Sequence, residues 1–269
     1  MYTLIDGDVL VYSCGFASQT NEYTANNSSF QYKKDVNSYC DSHGIDRSLI
    51  TKNIIPSPVS HALQNVKQAL GSIAQACDSN DGQIYLTGKG NYRHKAATTH
   101  PYKGNRDPDH KPVHYQAIID YLLNTWDAEM VEGMEADDAM GIAQWKNLED
   151  SKKFPFVDEY TCICTIDKDL DMIPGWHYNF RKEEKYRTNL EESDFFFYKQ
   201  MLTGDRVDNI IGIKGIGEVK AHKLLFGKSA EEMENTIIKK YKAEFGKDYI
   251  SRYHENETLL WILREPLDG

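Results

Sequence analysis

The sequence predicts an α/β fold: a mainly parallel central sheet with helices on both faces, followed by a helical C-terminal region. Short apolar runs at 2–6 (YTLID), 83–87 (QIYLT) and 160–166 (YTCICTI) suit buried strands. Stretches with apolar residues at three- and four-residue spacing separate them, as crossover helices do in a parallel sheet. After about residue 190 every patterned segment is helical: 192–203, 217–226, 229–245 and 255–263.

Each element follows in order. MYTLIDGDVLVY opens with a strand; Asp6 and Asp8 interrupt its apolar run and no basic region precedes it, which argues against a signal peptide. Residues 19–57, rich in Asn, Ser, Tyr and Thr, show no period and read as an inserted excursion, partly ordered at best. A helix is expected over 60–77, with Ser60 as its cap behind Pro58. Gly, Pro, His and Lys make 88–113 a mobile-looking loop. Further helices are expected at 114–125 and from Glu135 to about Leu148. The expected division is an α/β core over 1–190 and a helical subdomain over 191–269, packed on the sheet.

No apolar run approaches the ~20 residues that span a bilayer. The five cysteines lack any CxxC spacing, and Cys162 and Cys164 share one face of a strand, where they would not bridge. Reduced, buried thiols in an intracellular protein are expected.

The chemistry lies in eight carboxylates grouped as Asp6, Glu135/Asp137/Asp138, Asp167/Asp169 and Asp205/Asp208, which make up most of the formal net charge of −10. Each group sits where a strand or turn hands over to a helix, at the sheet edge where open α/β folds gather ligands. Taken singly, each also reads as a helix cap or a favourable charge at a helix N-terminus. Together they pose a charge problem. Two unit charges ~4 Å apart repel by roughly 4 kcal/mol at an effective dielectric near 20. Such a pocket protonates or binds hard divalent cations.

Positive charge is concentrated elsewhere. Lys89, Arg93, Lys95, Lys103, Arg106 and Lys111 face only Asp107 and Asp109 across the loop, which makes it a candidate phosphate-contacting segment. In GDRVDNIIGIKGIGEVKAHKLL, Gly212, Gly215 and Gly217 lead into an amphipathic helix carrying Lys220 and Lys223. A glycine-rich turn before a helix N-terminus offers backbone N–H groups to a phosphate. His94, His100, His110 and His114 fit no compact zinc spacing and read as solvated loop residues.

LIDGD, NYR…PYKGNR, MEADD, TIDKDL and GDRVDNIIGIKGIGEVKAHKLL, in this order, resemble the 5′-nuclease superfamily of flap endonucleases and 5′→3′ exonucleases, and most resemble a phage-encoded enzyme. The resemblance implies a PIN-like catalytic core over 1–190, an arch at 88–113, and a DNA-binding helix-hairpin-helix region over 191–269. It implies two Mg²⁺ ions, replaceable by Mn²⁺, with Asp6, Glu135, Asp137, Asp138 and Asp167 at the first and Asp169, Asp205 and Asp208 at the second. Lys103 and Arg106 would contact the scissile phosphate, and Tyr102 would either stack on a base or sugar or anchor the loop. Arg93, Lys214, Gly215, Gly217, Lys220 and Lys223 would bind the DNA backbone, with K⁺ as a further ligand of the 212–217 hairpin.

The implied partner is duplex DNA with a 5′ end, flap or nick, with an RNA–DNA hybrid as an alternative. The implied location is the cytoplasm, that of the host for a phage protein, with no membrane and no obligate protein partner. One departure stands out: an aspartate is usual just after the second strand, where this chain has Thr87 and Gly88. Asp8 would substitute only if the chain turned sharply at Gly7. The departure motivates a rival reading, a DNA-binding relative with weakened or lost turnover.

Overall fold

The computed structural model describes residues 1–107, 110–154 and 156–267, so Pro108 and Asp109 of the arch and the last two residues of the 191–269 segment lie outside the described residues. Strand β1 (Tyr2–Asp6) leads into helix α1 (Gly7–Ala17), then β2 (Gln19–Ala25), β3 (Ser28–Phe30), α2 (Lys33–His43) and β4 (Thr51–Pro56). There follow α3 (Val59–Ala76), β5 (Asp81–Thr87), α4 (Arg93–Ala96), α5 (Tyr115–Thr125) and β6 (Glu129–Val131). Next come α6 (Ala136–Lys153), β7 (Thr161–Cys164), β8 (Gly175–Asn179), β9 (Glu184–Thr188) and α7 (Leu190–Thr203). The chain ends with β10 (Gly204–Asp205), β11 (Ile210–Ile211), α8 (Glu218–Leu225), α9 (Ala230–Phe245) and α10 (Tyr249–Leu260). Among the described residues no helix is long and apolar enough to cross a membrane.

The chain forms two compact units: residues 1–8, 72–110 and 127–269, and residues 9–71 with 111–126. The expected border at 190 falls inside the first unit.

The first unit holds a six-stranded sheet in the order β6-β5-β1-β7-β8-β9, parallel except for β9. Helix α6 packs on β1, β5 and β7, while Cys77, just after α3, meets Cys162 and Cys164 of β7 from the opposite face. The C-terminal helices continue the core: Leu4, Met140, Ile163 and Leu170 join Met201, Ile237 and Tyr241 in one buried cluster. Strands β8 and β9, absent from the sequence expectation, extend the sheet. The region after 190 is not wholly helical, since β10 and β11 form a short antiparallel hairpin, and α10 begins at Tyr249 rather than 255. Ser60 lies inside α3 and is not its cap.

In the second unit, residues 19–57 are ordered, contrary to expectation. β3, β2 and β4 form an antiparallel sheet, and α2 buries Val36 and Cys40 beside Ala25. β4 is exposed throughout, so the alternation that would reveal a strand is missing.

Candidate active site

Asp6 ends β1 at the carboxyl edge of the sheet, 3% exposed, and accepts a hydrogen bond from Thr165 Oγ1 at 2.7 Å. Gly7 permits an immediate turn into α1: a Cβ there would stand 2.5 Å from the Tyr85 carbonyl oxygen. That turn carries Asp8 to the end of β5, where its carboxylate accepts from Thr87 N at 3.3 Å. The sharp turn that substitution by Asp8 requires is therefore present, and a carboxylate stands at the strand end where Gly88 supplies none. Gly88 itself has no room for a side chain. A Cβ there would lie 2.6 Å from both the Val131 carbonyl oxygen and Glu132 Oε1.

Glu135 caps α6 in a reciprocal box with Asp138, whose Oδ2 accepts from Glu135 N at 3.1 Å. The two acids then diverge. Asp138 is fully buried and gripped by both guanidinium nitrogens of Arg93 at 2.5 and 2.8 Å, and it also accepts from Leu263 N at 3.0 Å. Arg93 additionally donates to the carbonyls of Leu259 (3.1 Å) and Trp261 (2.6 Å). Arg93, at 2% exposure, borders the acidic cavity 3.8 Å from Glu135 but spends its guanidinium on Asp138 and the two carbonyls, and Asp138, committed to that arginine, does not line the cavity.

Glu135, Asp137, Asp167, Asp169, Asp205 and Asp208 line one cavity of about 130 Å³. Desolvation there, then Asp6, Asp167 and Glu135, raise the Asp137 carboxyl well above the usual range. Asp169 is pushed up to about 7 by desolvation and by Asp167 and Asp205. Carboxyls forced upward by one another are a measure of surplus negative charge. Gln200, 4% exposed and lining the same cavity, donates to Asp169 at 2.8 Å while its Oε1 has no hydrogen-bond partner among the described residues. Surplus carboxylates beside an unpaired buried acceptor fit a hydrated divalent cation. Thr165 and Gln200 were not singled out from the sequence. Thr165 directly precedes the TIDKDL acids' turn, but nothing in the pattern of α7 marks Gln200.

Part of the arch is tied down by hydrogen bonds. Lys103 N donates to Asp208 O at 2.9 Å, Asn105 to Arg206 O at 2.7 Å, and Asn209 to Pro101 O at 2.9 Å, which ties PYKGNR to the β10–β11 turn. Asp205 and Asp208 accordingly lie on a hairpin, not a helix. Lys103 adopts φ +54°, a costly left-handed backbone for a side-chain-bearing residue. Its ammonium is 2.5 Å from Glu135 and 3.8 Å from Asp208, and Arg106 pairs with Asp208. Burial works against the Lys103 charge, but Glu135 and Asp208 outweigh it and raise its pKa. Tyr102 is 5% exposed, and its hydroxyl lies 3.1 Å from Glu135 and 2.9 Å from Asp208, with one proton shared between the two carboxylates. Of the two readings of Tyr102, its burial and these bonds suit the loop anchor.

Lys214, Gly215, Gly217, Lys220 and Lys223 lie together and exposed on the 212–217 loop and α8. Lys220 Nζ donates to Gly215 O at 3.2 Å, so one carbonyl of the loop already faces a cation.

No protein-family model matches the chain. Over 169 residues, 55% of the chain, the sequence is 31% identical to DNA polymerase I of Caldicellulosiruptor bescii, and the match spans 19% of that polymerase's length. A T5 protein co-crystallised with metal ions aligns over 96% of this chain and 85% of its own, with a TM-score of 0.53 and 17% identity. The T5 5′-exonuclease with zinc bound aligns over 96% and 86%, with a TM-score of 0.53 and 18% identity. At such identities the structural likeness speaks for the fold. Along nearly its whole length the protein has the fold of the T5 5′-exonuclease, and over 169 residues its sequence is similar to part of a DNA polymerase I.

Proposed function

We propose that the protein is a divalent-metal-dependent 5′-nuclease that hydrolyses phosphodiester bonds of DNA at 5′ ends, flaps or nicks. One observation carries the reading: acids from three separate segments line a single cavity together with Lys103 and Arg106, and Asp6 from a fourth acts on Asp137. Glu135, Asp137, Asp167, Asp169, Asp205 and Asp208 would hold two cations, Mg²⁺ with Mn²⁺ as substitute, with Asp6 behind Asp137 and Asp8 at the end of β5. When bound, such cations make a water nucleophilic at neutral pH and offset charge on the phosphate oxygens.

The chain's own groups do the rest. Lys103 would place a point charge, and Arg106 a planar fork, on the non-bridging oxygens as negative charge builds there. Tyr102 holds Glu135 and Asp208 at a fixed separation. Lys214, Lys220 and Lys223, with the glycine loop, would position the backbone without reading sequence.

The committed Asp138 and the side-chain-free Gly88 favour a second reading, a DNA-binding protein of weak or no turnover. End-labelled flap and 5′-recessed duplexes, with RNA–DNA hybrids alongside, incubated over a Mg²⁺ and Mn²⁺ series, separate the two. Cleavage that requires the cation and falls about 10²–10³-fold in Lys103→Ala is expected. Binding without cleavage at every cation concentration would leave the second reading standing.

A further inference from the structure

Cys77, Cys162 and Cys164 converge on the face of the sheet opposite α6. Cys162 and Cys164 alternate along β7 and point the same way, and Cys77 comes from the end of α3. The Cys77 sulfur lies 3.9 Å from that of Cys162 and 3.7 Å from that of Cys164, and all three sulfurs are within 4.8 Å of one another. All three residues are fully buried, and no disulfide joins them.

We propose that these three cysteines form a binding site for one soft, thiophilic cation, zinc or copper(I), separate from the acidic cavity. The spacing is the first argument. A cation ~2.3 Å from each sulfur holds the sulfurs about 3.8 Å apart in a tetrahedral arrangement and about 4.0 Å apart in a trigonal one. The two separations from Cys77, 3.7 and 3.9 Å, come within about 0.1 Å of these values, and the third lies within 4.8 Å. Packing alone would be served as well by any small apolar side chain, since a buried thiol behaves as a small hydrophobe.

Charge is the second argument. Lys185 of β9 acts on Cys77 and offsets part of the charge that three thiolates retain around one cation. The Lys185 ammonium sits over the Trp176 ring, 5.4 Å from its centre, on the strand next to β7.

Thiolate sulfur selects soft cations over Mg²⁺, which separates this site chemically from the carboxylates. No fourth His, Cys, Asp or Glu ligand joins the group among the described residues, which suits trigonal coordination. Access runs through the end of α3, because Cys77 lies next to exposed Asp78. Binding is a proton exchange without redox change: the protons still held by the three sulfurs leave to solvent as the metal–sulfur bonds form.

The test uses the whole chain, reduced with a non-thiol reductant, in excess Mg²⁺ to occupy the carboxylates. Cadmium is titrated in, and the sulfur-to-cadmium charge-transfer absorption is followed. One equivalent with three sulfurs by X-ray absorption is expected, with zinc and copper(I) displacing it, and the band is lost in Cys77→Ala and retained in Cys14→Ala. The metal should also slow alkylation of Cys77, Cys162 and Cys164, mapped by mass spectrometry on the unmodified protein. That measurement stands even if Cys77→Ala fails to fold. No band, a band indifferent to Cys77, or no protection of the three thiols overturns the proposal.

Discussion

Replacing Arg93 by Ala removes both donors to Asp138 and both bonds to the carbonyls of Leu259 and Trp261, all in a region where the two side chains are 2% and 0% exposed. Asp138 would keep only the N–H groups of Glu135 and Leu263. Breaking one side of a buried pair costs about 3–5 kcal/mol, because a charge is left without its counter-charge. With a urea m-value of about 3 kcal/mol/M, the unfolding midpoint should drop by roughly 1–2 M. Urea titration followed by circular dichroism and tryptophan fluorescence measures this directly. The double variant Arg93→Met, Asp138→Leu removes both charges and should recover most of the loss. A residual ~1–2 kcal/mol would remain from the orphaned N–H groups of Glu135 and Leu263. A midpoint change below about 0.3 M in Arg93→Ala, together with a shallower salt dependence of DNA binding, would refute the pairing account and restore Arg93 as a phosphate contact.

Three further outcomes are expected. Tyr102→Phe keeps the ring but loses the bonds to Glu135 and Asp208, so both Tyr102→Phe and Tyr102→Ala should lose stability, the former by about 1–3 kcal/mol in urea titration; a neutral Phe variant with a defective Ala variant would mean that the ring does the work. Asp169, raised to about 7 in the folded state against ~3.9 unfolded, holds a proton when folded that the unfolded chain releases. Its contribution to stability is therefore full below about pH 4 and lost as pH rises through 7. Melting temperatures in chelator should show this fall, Asp169→Asn should flatten it, and Mg²⁺ or Mn²⁺ should reverse it; a wild-type profile identical to that of Asp169→Asn would sink the idea. Gly88→Asp should destabilise the protein without lowering the Mg²⁺ needed for cleavage, whereas Asp8→Asn should raise that requirement. Rescue of cation affinity by Gly88→Asp would show that the space around Gly88 is not closed.

The acids of the cavity are legible in the sequence because a buried strand followed by an acid has few places to go. Asp6 ends β1, Asp167 follows the adjacent parallel β7 by three residues, and Asp137 lies in the first turn of the helix that packs on both strands. What the pattern does not carry is direction within loops. Arg93 and Lys103 belong to the same basic segment and both border the cavity, yet one is spent on buried Asp138 and the other on Glu135, which only the position of those two acids decides. The 19–57 segment defeats periodicity for a different reason. Its sheet is small, β4 is exposed along its whole length, and burial comes from α2 through Val36 and Cys40. Strands β8 and β9 carry His, Asn, Glu, Lys and Arg among their apolar residues and so resemble surface loops in composition.

The pairing of Lys103 with Glu135 and of Arg106 with Asp208 gives the protein a built-in rival for any anion that approaches the arch. A phosphate takes these cations only by displacing carboxylates that are already close and already aligned. Stray nucleotides and isolated anions, which bring a single contact, are disfavoured, while a long polyanion anchored elsewhere can complete the exchange. Added salt loosens the internal pairs as well as the external ones. Association with a polyanion should therefore depend on ionic strength less steeply than the number of exposed lysines and arginines would suggest.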